Sequence, residues 1–167
     1  DYLYYMEFVT DRAWLNRIKT AYEQMPLQPA FFWTFTFERE PKQARARHYV
    51  RRYFQLLAKI SGTDVVCLAS LGGMGSKKTR THSHGVMFVK DINKIKKDFV
   101  WSHGLSEWGD YDSDKGAIIY SIYGGRNKHE HYPFQINACC ADVAGVSQLT
   151  SEIDRALLRE QQRCFSD

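Results

Sequence analysis

The chain has 167 residues, of which 44% are hydrophobic and 14% aromatic, and its formal net charge is +4. This composition excludes an intrinsically disordered chain, and the length predicts one domain with a core of its own. The weak positive charge is compatible with nucleic acid as a partner, but it does not indicate one by itself.

Cysteine spacing and hydropathy indicate the compartment. None of the four cysteines belongs to a Cys-x-x-Cys pair, so we expect a reducing environment and no disulfide framework. No apolar run reaches membrane-spanning length, and we expect a cytoplasmic protein without a membrane partner. Residues 1–167 are expected to form a single domain. The chain starts without Met and ends abruptly, which is compatible with the N-terminal part of a longer protein.

The first half of the chain predicts two helices and an aromatic strand. Apolar residues recur at steps of three and four over residues 8–25, and Pro26 ends this amphipathic helix. The segment FFWTFTF, residues 31–37, is aromatic and β-branched, so we expect a central strand buried on both faces. A second helix, carrying four arginines, is predicted from Pro41 to its end at residues 61–62.

A hairpin is predicted in the middle of the chain. The apolar run VVCLASL, residues 65–71, is followed by a glycine-rich basic loop and by the strand THSHGVMFV, residues 81–89. The loop lacks the spacing of a phosphate-cradling P-loop. Its cations would lie beside the second strand and could contact phosphate groups; they are Lys77, Lys78 and Arg80.

Two histidines head that second strand. His82 and His84 stand two residues apart, so their side chains project from the same face of a strand, and we expect both to be partly exposed. Two imidazoles on one rigid face can bind one divalent cation, although a half-exposed strand can also carry two histidines by chance. The cationic loop beside them favours a metal site that acts on a phosphodiester.

The second half of the chain predicts shorter elements. Residues 91–100 are expected to form a short helix, residues 108–111 a strand, residues 116–123 a short apolar helix and residues 146–164 a terminal helix. Because a hairpin requires antiparallel neighbours, the elements together predict an α+β fold with an antiparallel or mixed sheet.

A tyrosine pair on the 116–123 helix suggests a reaction. Tyr120 and Tyr123 are three residues apart and share a helix face. A tyrosine hydroxyl can attack a phosphodiester, while an ion held by two histidines offsets the charge that builds on the phosphate. The same aromatic and basic residues are also compatible with a non-catalytic module that binds single-stranded nucleic acid.

Three segments, in this order, resemble the HUH endonucleases, specifically the rolling-circle replication initiators of plasmids and phages. They are FWTFTF (32–37) followed by a basic helix, THSHGVMF (81–88), and WSHG (101–104) with GAIIY (116–120) downstream. The resemblance implies a ferredoxin-like or RNA-recognition-like α+β core, in which a central antiparallel sheet with flanking helices carries the histidine pair.

The resemblance also implies an activity, which is metal-dependent nicking and joining of single-stranded DNA through a 5′-phosphotyrosine. It assigns a Mg²⁺ or Mn²⁺ ion to His82 and His84, and the nucleophile to Tyr120, with Tyr123 as the rival. The partners implied are an origin hairpin and the helicase and polymerase of a bacterial or archaeal host. A single-tyrosine transposase or a conjugative relaxase with the same chemistry remains the alternative. The expected DNA-binding residues are Lys77, Lys78, Arg80, Arg126 and Lys128.

The third metal ligand stays open. The family often places a glutamate in or near the strand before the histidines, where this chain has Ser70, with Asp64 at the start of that strand. Between the histidines stands Ser83, where the family usually has a bulky apolar residue. Ligands following the tyrosine helix are the other option: Asn127, His129 and His131.

Overall fold

The structure is a computed structural model that describes residues 20, 27–73, 79–115, 117–118, 121 and 132–138. Five strands and one long helix follow each other in these residues: β1 (Gln28–Thr36), α1 (Gln43–Ser61), β2 (Val65–Gly72), β3 (His82–Val89), β4 (Ser106–Asp110) and β5 (Tyr132–Ala138). Short 3₁₀ turns occupy Ile92–Lys94 and Ser113–Lys115.

The strands form one sheet in the order β4-β1-β3-β2-β5, and every neighbouring pair is antiparallel. Helix α1 connects β1 to β2 across β3, which is the split βαβ arrangement of ferredoxin-like folds. The predicted α+β class is therefore confirmed, as is the hairpin of β2 with β3. Because β3 is the central strand, main-chain hydrogen bonds hold the histidine segment from both sides.

Helix α1 forms because its apolar residues repeat at helical spacing and face the sheet. Val50, Phe54 and Leu57 are among its buried residues, at steps of four and three. Gly62 ends the helix in a left-handed conformation, with φ of 66°, and its N–H donates to the Ala58 carbonyl at 2.9 Å. Only glycine adopts this conformation without a steric cost, so the helix ends where the sequence predicts.

An aromatic cluster fills the space between α1 and the sheet. The rings of Trp33 and Phe54 lie with centroids 4.8 Å apart, and those of Phe35 and Trp101 stack at 4.6 Å. All four side chains are 3% exposed or less. This cluster makes the helix side of the sheet the main core.

The prediction that the aromatic strand is buried on both faces is wrong. In β1, Phe31, Trp33 and Phe35 are buried, whereas Phe32 and Thr34 between them are only half-buried. The difference arises because α1 packs against one face alone, so burial alternates along the strand. The strand that is buried at every residue is β2.

The predicted helix over residues 91–100 is replaced by the 3₁₀ turn Ile92–Lys94 and an irregular segment. Hydrogen bonds to side chains hold this segment: the Asp91 carboxylate accepts from the Asn93 N–H at 3.1 Å. The Lys96 N–H donates to the Ser61 hydroxyl at 3.0 Å. Such bonds compete with the helical pattern, and a ten-residue helix is only marginally stable on its own.

Strand β5 is absent from the sequence-based expectations. Its alternate residues Phe134, Ile136 and Ala138 are buried, which is the pattern of a half-buried strand. The run is short and has a proline in its second position, which is typical of an edge strand rather than of a central one. β5 lies at the edge of the described sheet, next to β2.

Three predicted helices fall wholly or partly outside the described residues. For the 8–25 helix only Thr20 is described, and it is helical; the 146–164 helix lies outside. In the predicted 116–123 helix, Ala117, Ile118 and Ser121 are helical and buried. The Ser121 hydroxyl donates to the Ala117 carbonyl at 2.8 Å, four residues back as a helix requires. The predicted strand over residues 108–111 corresponds to β4.

We expect Gly85→Ala to destabilise the fold by about 1–3 kcal/mol, the usual cost of overpacking a core. A Cβ atom on Gly85 would meet the Leu68 carbonyl oxygen and would lie 2.8 Å from Cζ2 of the Trp33 indole. Urea unfolding measures the effect. Gly109→Ala is the matched control, because its Cβ would have only the Phe32 oxygen at 3.9 Å. Equal stability of the two variants would contradict this packing.

Candidate functional site

The two histidines of β3 lie on the face of the sheet opposite to α1. Their ring centroids are 5.5 Å apart, and the ring planes differ by 25°. A metal–nitrogen bond of about 2.1 Å puts a ring centroid about 3.2 Å from the ion, so two rings sharing one ion have centroids at most about 6.4 Å apart. The spacing of His82 and His84 is therefore within reach of a common ion.

The ring of His82 is oriented by the backbone beside it. Its Nδ1 lies 3.0 Å from the Arg80 carbonyl oxygen. A carbonyl has no proton to give, so Nδ1 carries the hydrogen and donates it. In the neutral ring this leaves the lone pair on Nε2. A hydrogen bond from one ring nitrogen to a carbonyl is how proteins fix the tautomer of a histidine that binds a metal through the other nitrogen.

The two rings differ in exposure. His82 is half-buried, but His84 is only 2% exposed, so the expectation of two partly exposed histidines is correct for the first and wrong for the second. The Phe32 ring lies beside His84, with centroids 6.2 Å apart. Burial arises because β3 is the central strand and its residues further along are buried on both faces.

A row of polar residues crosses the sheet at His84. In the strand register, His84 stands opposite Thr34 of β1 on one side and Ser70 of β2 on the other. Residues paired in this way share a face, with Cβ atoms about 5 Å apart. The Ser70 hydroxyl is fully buried and has no hydrogen-bond partner among the described groups.

Ser83, between the histidines, faces the opposite side of the sheet. Its hydroxyl donates to the Ser70 carbonyl at 3.0 Å and is buried. Beside it in the register stand Phe35 and Leu71, which belong to the aromatic core. A serine is accommodated there because its one donor is satisfied by the neighbouring strand.

The third ligand is not found in the part of the chain that the structure describes. No group of three or more His, Cys, Asp or Glu residues there is arranged to hold a metal ion. Asp64 is excluded, because it precedes β2 and stands six residues from Ser70, about 20 Å along a strand. Ser70 is adjacent to His84, and Asn127, His129 and His131 lie outside the described residues.

The basic loop before β3 is closed at its base. Gly73 has φ of 71°, and a Cβ there would lie 2.5 Å from the Arg80 carbonyl oxygen, so the loop ends meet closely. Arg80 is exposed two residues before His82, as a phosphate contact requires. The buried Thr81 hydroxyl donates to the Glu40 carboxylate, which anchors the strand entry. Lys77 and Lys78 lie outside the described residues.

The WSHG turn, residues 101–104, is fixed at the same end of the sheet as His82. The Trp101 indole N–H donates to the Thr36 carbonyl at 2.8 Å, and Thr36 is the register partner of His82. A Cβ on Gly104 would meet that same carbonyl oxygen, so the turn lies directly on β1. The remaining predicted site residues lie outside the described part: Tyr120, Tyr123, Arg126 and Lys128.

His103 in this turn stacks on Tyr49 of α1, with ring centroids 4.0 Å apart and planes within 14°. The contact ties the turn to the helix. Tyr53, one helical turn further, donates its hydroxyl to the Phe99 carbonyl at 2.7 Å. Burial raises the pKa of Tyr53, so this phenol stays protonated and serves the fold.

Part of the arginine-rich face of α1 packs on β5 rather than being simply solvated. The guanidinium carbons of Arg47 and Arg51 lie 5.5 and 5.4 Å from the Phe134 ring centroid. Burial, and then repulsion by Arg51, lowers the pKa of the Arg47 guanidinium. The sequence did not signal this contact, because β5 was not predicted.

The buried thiol of Cys67 lacks the features of a reactive cysteine. Cys67 lies in the middle of β2 with no exposure, and burial raises its pKa well above the usual value. A thiol held protonated in this way is a poor nucleophile. Cys67 is therefore a core residue.

No family model, no curated protein and no solved structure matches this chain. Among the described helices none has the length and apolar character needed to cross a membrane.

Proposed function

We propose that this chain is an HUH-type endonuclease that nicks and rejoins single-stranded DNA to initiate rolling-circle replication. The observation that carries the proposal is the pair His82 and His84 on one face of the central strand, 5.5 Å apart between ring centroids. The order of the three motifs along the sequence supports it. The proposed setting is the cytoplasm of a bacterial or archaeal host.

The histidine pair would hold a divalent ion, Mn²⁺ or Mg²⁺. The His82 tautomer supports this role, because the bond from Nδ1 to the Arg80 carbonyl leaves Nε2 as the ligating nitrogen. When bound, the ion polarises a non-bridging phosphate oxygen and offsets the charge of the transition state. Imidazole nitrogens suit Mn²⁺ better than Mg²⁺, which prefers oxygen ligands, so we expect Mn²⁺ to be the better cofactor.

The proposed reaction is a transfer of the phosphodiester to tyrosine. The hydroxyl oxygen of Tyr120 attacks phosphorus and loses its proton, while the bond from phosphorus to the 3′-oxygen breaks and that oxygen leaves as a hydroxyl. The 5′-phosphate remains bonded to tyrosine. A free 3′-hydroxyl reverses the step and rejoins a strand, so no water is consumed.

Basic residues around the histidine end of the sheet are proposed to hold the strand. Arg80 is exposed next to the His82 segment, and it would contact a phosphate near the scissile bond. The other proposed contacts are Lys77, Lys78, Arg126 and Lys128. The DNA partner would be an origin hairpin, and a replicative helicase and polymerase of the host would act on the 3′-end that the nick releases.

A covalent adduct is the expected result when the chain meets its substrate. The chain is incubated with a random-sequence pool of single-stranded DNA and Mn²⁺, and protein-linked DNA is recovered under denaturing conditions and sequenced. We expect a defined sequence to become enriched on the protein, and excess EDTA to prevent the adduct because it removes the ion.

Two other outcomes would change the assignment. Single-strand binding that persists in EDTA, with no adduct from any sequence, would favour a non-catalytic binding module and contradict the proposal. Adducts that form on transposon-end or transfer-origin strands, but not on replication origins, would assign the chemistry to a transposase or a relaxase.

A further inference from the structure

The fully buried hydroxyl of Ser70 calls for a physical explanation. It lies on β2, directly opposite His84 in the register of β2 and β3, and it has no hydrogen-bond partner among the described groups. A buried hydroxyl without a partner costs stability, and most such groups in native proteins are satisfied by protein, water or an ion.

The neighbours of Ser70 show on which side of the sheet this hydroxyl lies. Ala69 and Leu71, on either side of it in β2, belong to the core under α1, so Ser70 faces the histidine side. On that side its neighbours in β2 are Leu68 and Gly72, and both are buried. Bulk solvent therefore does not account for the hydroxyl, whereas the His84 ring stands next to it.

The metal chemistry of the histidine pair suggests a hydrogen-bond partner for the Ser70 hydroxyl. Mn²⁺ and Mg²⁺ take about six ligands, so two imidazoles leave most positions to water or substrate. Water bound to a cation is a strong hydrogen-bond donor, and a serine oxygen is a good acceptor although it is a weak direct ligand for a cation.

We infer that Ser70 is a positioning residue, whose hydroxyl holds a water molecule of the hydrated ion bound by His82 and His84. The inference rests on the proposed metal site and deepens it, because it makes the ion partly held through water. A serine beside His84 is then sufficient, because its hydroxyl binds a water molecule and not the ion itself.

Mn²⁺ affinity of the full chain tests the inference without any activity assay. Free Mn²⁺ is followed by electron paramagnetic resonance during titration of the wild type, Ser70→Ala and His82→Gln. We expect Ser70→Ala to weaken Mn²⁺ binding about 10-fold, the usual effect of removing an outer-sphere partner. The melting temperature of the metal-free variant should be unchanged or higher, because the substitution removes a buried unsatisfied group.

Ser83→Ala is the matched control, since Ser83 is equally buried but faces the core and its hydroxyl is satisfied by the Ser70 carbonyl. It should lower the melting temperature and leave Mn²⁺ affinity unchanged. If Ser70→Ala binds Mn²⁺ with unchanged affinity while His82→Gln loses Mn²⁺ binding, the inference about Ser70 is overturned and the proposed function still stands. Absence of Mn²⁺ binding in the wild type would overturn both.

Discussion

Replacing His82 with glutamine is expected to reduce adduct formation about 100-fold or more. Without this ligand the ion is lost, and with it the stabilisation of the charge that builds on the phosphate in the transition state. One electrostatic contribution of this kind typically changes the rate by a factor of about 100–1,000. Glutamine keeps a polar side chain of similar length at a half-buried position, so the fold should be retained. The rate of adduct formation on the enriched strand, measured at saturating Mn²⁺ on denaturing gels, tests the prediction.

His84→Gln should have the same effect on the adduct but should also cost stability, because His84 is 2% exposed and packs beside Phe32. Circular dichroism of both variants separates loss of the ion from loss of the fold. His48→Gln is the control, since His48 is an exposed histidine on α1. Full activity of His82→Gln in a folded protein would remove the histidine pair from the mechanism.

Tyr120→Phe is expected to abolish the covalent adduct. Phenylalanine keeps the ring but lacks the phenolic oxygen of Tyr120 that would bond to phosphorus. The loss of the adduct should therefore be complete rather than partial. Binding of the DNA strand should persist, because phosphate contacts with basic residues and stacking on aromatic faces do not need the hydroxyl. Denaturing gels measure the adduct, and fluorescence anisotropy measures binding.

Tyr123→Phe distinguishes the two candidate nucleophiles, and Tyr49→Phe is a control that keeps the ring stacked on His103. Mass mapping of the phosphorylated peptide identifies the modified tyrosine directly. An adduct that survives in Tyr120→Phe and disappears in Tyr123→Phe would move the nucleophile to Tyr123. An adduct that survives when both substitutions are combined in one chain would exclude Tyr120 and Tyr123 from the chemistry.

Local patterns predicted much of the sheet and its long helix. The hairpin of β2 and β3 follows from two apolar runs around a glycine-rich loop, and α1 follows from its stripe and its terminal Gly62. The same patterns misled at residues 91–100, where hydrogen bonds to Ser61 and Asp91 replace a helix. The bond from the Lys96 N–H to Ser61 joins residues 35 apart, and a local pattern does not contain it.

The candidate site was predictable only in part. Alternation along a strand places His82 and His84 on one face, and this requires no knowledge of the rest of the chain. Alternation does not show that β3 is the central strand of the sheet, and so the burial of His84 was missed. The sequence left the choice among further ligands open, with Asp64 and Ser70 both near the expected place. The register puts Ser70 beside His84 and leaves Asp64 remote.

Local spacing was sufficient to predict the strand that carries His82 and His84 and the face of the sheet that they share. These features depend on spacing within a few residues, which backbone geometry converts directly into shared faces. The tertiary structure decided that β3 is central, that His84 is buried and that Ser70 is its neighbour. Those facts depend on strands distant in the chain, whose order in the sheet is set by packing against α1 rather than by local spacing.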